Sequence, residues 1–214
     1  MSVYNPPNLI FTHGSGLELY SAQDDTYLDF ISGIGVNSLG HSHPSLVKAL
    51  NDQSTKLWHL SNMFRVPEGE RLAERLVEET FADKVFFANS GAESVECGLK
   101  MMRRYHFDRD QPERYRIIAM EHAFHGRTLG TVSAAGNPAH VKGFIPDDQG
   151  YDHVPFGDLK ALENMISKET AGVIMEPIQG EGGIQVASQE YFQGVRELCD
   201  RHGILLMFDE VQCG

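Results

Sequence analysis

The sequence predicts an α/β fold, a mostly parallel sheet with helices on both faces, preceded by a smaller N-terminal segment of β meander, loop and helix. Three observations lead there. From about residue 84 onward, apolar runs alternate with amphipathic stretches. Most of these runs are apolar throughout, as strands buried on both faces are. The first 65 residues instead carry short runs separated by glycine and aspartate turns. We therefore expect an N-terminal segment at 1–65 and the first part of a larger domain at 66–214.

The elements follow in order. Leu9-Ile10-Phe11, Leu17-Glu18-Leu19-Tyr20 and Tyr27-Leu28-Asp29-Phe30 read as a meander, with turns at Gly14-Ser15-Gly16 and Asp24-Asp25. A glycine-bearing loop runs from Gly33 to Pro44. Pro67 suits a first helical position, with Leu72, Leu76 and Val77 on one apolar face. Strands are predicted at Val85-Phe86-Phe87-Ala88, Tyr115–Met120, Gly172–Met175 and Ile204–Phe208. Val95, Leu99 and Met102 share one helix face. A later helix is expected to start at Ser188 as N-cap and stop at Gly203, with Phe192, Val195, Leu198 and Cys199 between.

Composition narrows the function classes. The chain has 214 residues, 41% of them hydrophobic, enough for a real core. The net charge of -12 argues against a nucleic-acid or anionic-membrane partner. No run approaches the roughly 18 apolar residues of a membrane span. Met1 to Pro7 show no basic region followed by an apolar stretch, so no secretory leader is expected. Cys97, Cys199 and Cys213 are few and scattered, which suits free thiols in a reducing cytoplasm.

Open parallel sheets bind ligands beyond the carboxyl ends of their strands. The four predicted strands are followed by Asn89-Ser90-Gly91-Ala92-Glu93, by Glu121 to Thr128, by Glu176 to Gly183, and by Asp209-Glu210-Val211-Gln212. The most polar, glycine-marked segments thus fall on one rim. Backbone N–H groups at Ser90-Gly91-Ala92 suit a phosphate at a helix N-terminus, although Glu93 competes with an anion and the segment taken alone fits an ordinary N-cap turn better. Phe124 offers a face to a flat ring and Arg127 a two-pronged clamp for a carboxylate; a core phenylalanine and a surface arginine are the plain alternative. Asp209 ends a very apolar strand and needs a partner there, either a protonated ring nitrogen or a protein salt bridge or helix cap. His41-Ser42-His43 and His122-Ala123-Phe124-His125 have metal-like spacings but lack evident carboxylate or thiolate company. A metal-dependent hydrolase is the rival reading, and no metal ligand is assigned.

Taken together, these segments resemble the class III (ornithine/acetylornithine type) aminotransferases of PLP fold type I, the acetylornithine enzymes most of all. The resemblance spans essentially the whole chain. It includes Tyr27-Leu28-Asp29-Phe30, Gly40-His41-Ser42-His43-Pro44, Phe87 to Glu93, Phe124-His125-Gly126-Arg127-Thr128, Glu176 to Gly182 and Phe208 to Gln212, in the family's order and spacing. It implies pyridoxal 5'-phosphate as cofactor. Gly91 and Ala92 match amides that hold its phosphate, with Ser90 beside them. Phe124 matches the aromatic on its ring, Asp209 the carboxylate on its ring nitrogen, and Gln212 the amide near its phenolic oxygen, with Val211 also among the cofactor contacts. Arg127 matches the arginine for a substrate carboxylate. Glu176 and Glu181 match acidic residues around the site, Glu181 being the one tied to substrate selection. Ile34 occupies a position where ornithine aminotransferases carry a tyrosine, which disfavours free ornithine.

The implied reaction moves an amino group from an ω-amino donor, N-acetylornithine first, to 2-oxoglutarate, in arginine biosynthesis. Ornithine, succinylornithine, succinyldiaminopimelate and GABA are alternative donors. A cytoplasmic homodimer is implied as well. The family's Schiff-base lysine lies downstream of Asp209–Gln212. Lys48, Lys56, Lys84, Lys100, Lys142, Lys160 and Lys168 all precede Asp209. The chain is therefore expected to be an N-terminal part that is inactive alone, with a non-catalytic cofactor-binding fragment as the other possibility.

Overall fold

The computed structural model describes residues 4–144 and 149–214; Met1, Ser2 and Val3, the start of the stretch read for a leader, lie outside the described residues. The chain divides into two compact units, Met1–Val85 and Phe86–Gly214.

The first unit opens with an antiparallel meander of β1 (Phe11–Ser15), β2 (Glu18–Ser21) and β3 (Thr26–Leu28), in that order. The β2–β3 turn forms because the Ser21 hydroxyl accepts the N–H groups of Gln23 and Asp25 at 3.2 and 3.1 Å. One turn of left-handed helix follows at Ser32–Gly35. Helices α1 (Pro44–Ser54) and α2 (Pro67–Glu79) each begin on proline, whose missing N–H costs nothing in a first turn. The predicted stripe Leu72, Leu76 and Val77 lies on α2 and stays exposed.

The second unit runs α3 (Gly91–Phe107), β4 (Arg116–Met120), α4 (Leu129–Ala135), α5 (Pro138–Val141), β5 (Tyr151–Val154), α6 (Leu159–Met165) and β6 (Thr170–Met175). A short hairpin of β7 (Ile178–Gln179) and β8 (Gln185–Val186) precedes α7 (Gln189–His202) and β9 (Leu205–Phe208). The main sheet has the order β5-β4-β6-β9 and is parallel throughout. Alternation along its strands builds a core on each face. Ile118, Met120, Val173 and Met175 pack against Leu162 of α6 and Val195, Leu198 and Cys199 of α7. Ile117, Ala119 and Ile174 pack against Val95, Leu99 and Met102 of α3 and Ala134 of α4. The pairing slips by one residue between Arg116↔Thr170 and Ile117↔Gly172. At this irregularity the buried His106 ring hydrogen-bonds the Ala171 carbonyl at 2.8 Å. Helix α7 starts on the Ser188 cap, whose hydroxyl accepts the Tyr191 N–H, and ends on Gly203 at φ 62°.

Two sequence expectations differ from this fold. Val85–Ala88 pairs with no described residue and is not a strand, and Phe86 and Phe87 are exposed. Apolarity makes a run suitable for burial, but only a paired neighbour makes it a strand. Conversely, β5 escaped notice because Asp152 and His153 interrupt its apolar pattern. They are satisfied locally: Asp152 takes two hydrogen bonds from Arg116 on β4, at 2.8 and 2.7 Å, and His153 meets the Ala134 carbonyl at 3.1 Å.

Leu162 is fully buried where α6 meets β4–β6 and α7. Leu162→Ala in the full-length protein should cost about 2–5 kcal/mol in urea unfolding. A far smaller loss would show that α6 does not close this core.

Candidate functional site

Because the strands are parallel, their carboxyl ends share one rim; the segments after β4, β6 and β9 lie on it, and Asn89–Glu93, which follows no strand, meets them there. Close approaches tie them together. A Cβ on Gly91 would lie 2.7 Å from Val211 Cγ1, and one on Gly126 would lie 2.9 Å from Ala92 Cβ. Glycine at these two positions lets the loops after β4 and β9 touch the start of α3. Gly180 in turn lies against Gln212.

At the start of α3, the Ser90 hydroxyl accepts the Glu93 N–H at 3.2 Å, and Glu93 folds back to accept the Asn89 N–H at 2.6 Å. This reciprocal cap leaves the N–H groups of Gly91 and Ala92 without an acceptor among the described residues. Two free donors at the positive end of a 17-residue helix form an anion cradle. The Ser90 hydroxyl proton is not used by the cap and adds a third donor.

Asp209 follows β9 and is 6% exposed. Its Oδ2 lies 2.7 Å from His125 Nδ1, and its Oδ1 accepts the Val211 N–H at 3.1 Å. Since a carboxylate oxygen can only accept, His125 donates from Nδ1. Its Nε2 is buried with no partner among the described residues.

Glu176, at the end of β6, accepts the Phe124 N–H at 2.8 Å. Burial pushes its carboxyl above the ordinary 4.5, nearby Asp209 adds to the rise, and the Phe124 and Gly180 N–H groups oppose it. Glu176 is thus a brace between the loops after β4 and β6. Beside it opens a cavity of about 470 Å³ whose walls include Phe124, Arg127, His140 and Glu181. The Arg127 guanidinium lies 5.3 Å from the Phe124 ring centre, and no carboxylate among the described residues pairs with it.

The rim therefore brings together Ser90, Gly91, Ala92, Phe124, Arg127, Glu181, Asp209, Val211 and Gln212. Ile34 belongs to the first unit, on the left-handed turn, and is exposed. Among the described residues no group of three or more His, Cys, Asp and Glu gathers to hold a metal ion. His125 was weighed in the sequence only as a metal-like spacing, and its pairing with Asp209 was missed. The one available signal was the demand of a buried aspartate for a donor.

A parallel sheet that gathers at its carboxyl rim a buried carboxylate, a helix N-terminus and a guanidinium, the last two without an acceptor among the described residues, has the architecture of PLP-dependent transferase fold type I. The pattern of the family described as Aminotransferase class-III matches residues 2–214. The chain belongs to the class III aminotransferase family. It is 54% identical over 206 residues to the acetylornithine aminotransferase of Agrobacterium fabrum, covering 96% of this chain and 52% of that protein. The N-acetylornithine aminotransferase structure from Stenotrophomonas maltophilia superposes with a TM-score of 0.83 at 37% identity, over 100% of this chain and 53% of that one. An ornithine aminotransferase structure from Toxoplasma gondii, with PLP partially occupying its active site, gives a TM-score of 0.92 at 28% identity, over 100% and 51% of the two chains. The chain spans about half the length of the curated relatives it matches. No helix among the described residues is long and apolar enough to cross a membrane.

The raised Glu176 carboxyl sets a pH dependence. Above its folded pKa, the ionised buried group costs stability relative to the unfolded chain; protonation removes the cost as pH falls toward 4.5. Glu176→Gln, which keeps an acceptor for Phe124, should therefore stabilise the protein at pH 7 and lose that advantage as the pH approaches 4.5. Unfolding midpoints of both proteins across this range test it, and a pH-independent difference would refute it.

Proposed function

We propose that the complete enzyme is a PLP-dependent transaminase that moves the amino group of an ω-amino donor, N-acetylornithine first, to 2-oxoglutarate. The observation that carries this is the pairing of a buried carboxylate with a ready anion cradle on one rim. The names of the relatives support the donor. On this reading the protein serves arginine biosynthesis in the cytoplasm and works as a homodimer, as the resemblance implies.

The residues present fit the cofactor. Two unpaired N–H groups and a hydroxyl proton suit its phosphate, and a carboxylate in an apolar setting suits a protonated ring nitrogen. Ser90, Gly91 and Ala92 would hold the phosphate. Asp209 would hold the ring nitrogen, with Phe124, Val211 and Gln212 about the ring. When bound, the cofactor supplies an electron sink for a carbanion. Asp209 keeps positive charge at that nitrogen. His125 fixes which way Asp209 points by occupying Oδ2, and is a positioning residue. Arg127 binds and orients a substrate carboxylate through parallel N–H···O bonds, and no carboxylate among the described residues has to be displaced first. Glu181, across the same cavity, sorts donors by the charge and length of the end that reaches it.

The test is a donor screen of the full-length enzyme with 2-oxoglutarate, following glutamate formation from N-acetylornithine, ornithine, succinylornithine, succinyldiaminopimelate and GABA. N-acetylornithine should give the highest kcat/KM; no glutamate from any donor would overturn the proposal. Asp209→Asn should lower kcat by on the order of 10²-fold or more, as does loss of one preorganised electrostatic group. Arg127→Ala should act mainly on KM, by about 10–100-fold, in line with lost hydrogen bonds to a charged group. Equal effects of both changes on kcat and KM would mean that these roles are wrongly assigned.

A further inference from the structure

Arg127 sits between two residues that helix α3 holds in place. On one side, Gly126 is pressed against Ala92: a Cβ on Gly126 would stand 2.9 Å from Ala92 Cβ and 3.2 Å from Ala92 Cα. On the other side, the Thr128 hydroxyl meets Glu96 Oε1 at 2.6 Å. Ala92 and Glu96 are four residues apart and share one face of α3.

Glu96 reaches the start of α4 because Gly130 makes room for it. A Cβ on Gly130 would stand 2.6 and 2.7 Å from the two Glu96 carboxylate oxygens. Helix α4 has no acidic residue in its own first turn, so Glu96 brings a negative charge from α3 to its positive end. The carboxylate also sets the direction of the hydrogen bonds there. A carboxylate oxygen can only accept, so the Thr128 proton goes to Glu96. The 2.8 Å bond between Thr128 Oγ1 and Thr131 Oγ1 is then donated by Thr131. Thr131 Oγ1 in turn accepts the Thr128 N–H at 3.0 Å, and the capping box is complete. Thr131 is fully buried, and Ala134 of the same helix belongs to the sheet core. Glu96 thus ties α4 to α3 one residue beyond Arg127.

This matters for Arg127 because its guanidinium has no carboxylate partner among the described residues. Its position before a ligand arrives therefore depends on the backbone at Gly126 and Thr128. Both anchors lie in the first two turns of α3, the helix whose first N–H groups form the anion cradle. Cradle and guanidinium are carried by one rigid element, and a misplacement of about 1 Å in such a pair is costly.

We propose that Glu96 is a positioning residue: by holding Thr128 it fixes the Arg127 backbone relative to the anion cradle, so that the guanidinium is placed for a substrate carboxylate before that carboxylate binds. The inference rests on the reading above that Arg127 binds a substrate carboxylate.

The experiment uses the full-length enzyme with its cofactor, and glutarate as the probe, a dicarboxylate with neither keto group nor amine and so unable to react. Its dissociation constant is measured by calorimetry for wild type, Glu96→Ala, Glu96→Gln, Arg127→Ala and the double variant Glu96→Ala/Arg127→Ala. In parallel, kcat and KM are measured for N-acetylornithine. Glu96→Ala should weaken glutarate binding and raise the donor KM, each by about tenfold, while kcat and cofactor absorbance hold. Glu96→Gln keeps an acceptor for the Thr128 hydroxyl and should restore most of both. In the Arg127→Ala background, Glu96→Ala should add almost nothing, because the group it positions is gone. Should Glu96→Ala fail to fold, Glu96→Asp, which keeps the charge but shortens the reach, takes its place with the same expected losses. A full tenfold effect of the Glu96 change in the Arg127→Ala background overturns the inference, since Glu96 then acts on the fold at large. Unchanged glutarate binding in Glu96→Ala overturns it too. So does a wild type that binds no glutarate, or binding that Arg127→Ala leaves intact, because there is then no carboxylate clamp to position. If the wild type binds glutarate but turns over no donor, the transaminase reading fails instead, and the glutarate series alone decides the role of Glu96.

Discussion

Asp209 is a charge carried to the end of an apolar strand, and much of the second unit's polar architecture accommodates it. An ionised carboxylate removed from water is tolerated only with hydrogen-bond donors in place. One comes from its own turn, the Val211 N–H, and the other from His125 after β4. Parallel pairing makes this geometry available. Met175 and Phe208 are register partners, so Glu176 and Asp209 are next-residue neighbours at adjacent strand ends. The same geometry places two carboxylates near each other, and Asp209 helps raise Glu176 as a result. His125 opposes that rise. One imidazole thus makes two like-charged strand ends compatible.

Much of this was legible in the sequence, for a definable reason. β6 and all but the first residue of β4 are buried, and β9 is partly buried beside β6, so their residues form largely apolar runs, and whatever follows such a run in a parallel sheet lies on the ligand-facing rim. That logic placed Phe124, Arg127, Glu181 and Asp209 on the rim with no contact known; Ser90, Gly91 and Ala92 were placed there by an expected strand that does not form, and they reach the rim instead through the close approaches of Gly91 to Val211 and of Ala92 to Gly126. It failed where structure depends on partners remote in the chain. β5 looks polar until Arg116 is set beside Asp152. Val85–Ala88 looks like its neighbours, but pairing is not written in a single run. His125 and Asp209 are 84 residues apart, and no local pattern joins them. The turn at Ser32–Gly35 was half visible. Gly33 and Gly35 suit a left-handed conformation, whereas Ser32 and Ile34, also at positive φ, give no such signal.

Two carboxylate–imidazole pairs, His125–Asp209 in the second unit and His41–Asp29 in the first, show how burial decides what one interaction does. At His125–Asp209 the side chains are 0% and 4% exposed, and the imidazole chiefly offsets desolvation of a charge. At His41–Asp29 they are 22% and 10% exposed, so water already shares that task. The carboxylate is then free to organise backbone, and two of its hydrogen bonds go to consecutive N–H groups at the mouth of a strained turn. The first pair gives a buried carboxylate at an apolar strand end the hydrogen-bond donor it needs. The second holds the backbone at the entry to that turn. In both, the imidazole orients the carboxylate, and the carboxylate acts on the groups beyond it. An Asp–His spacing read from sequence therefore does not specify a role; the role follows from what surrounds the two side chains.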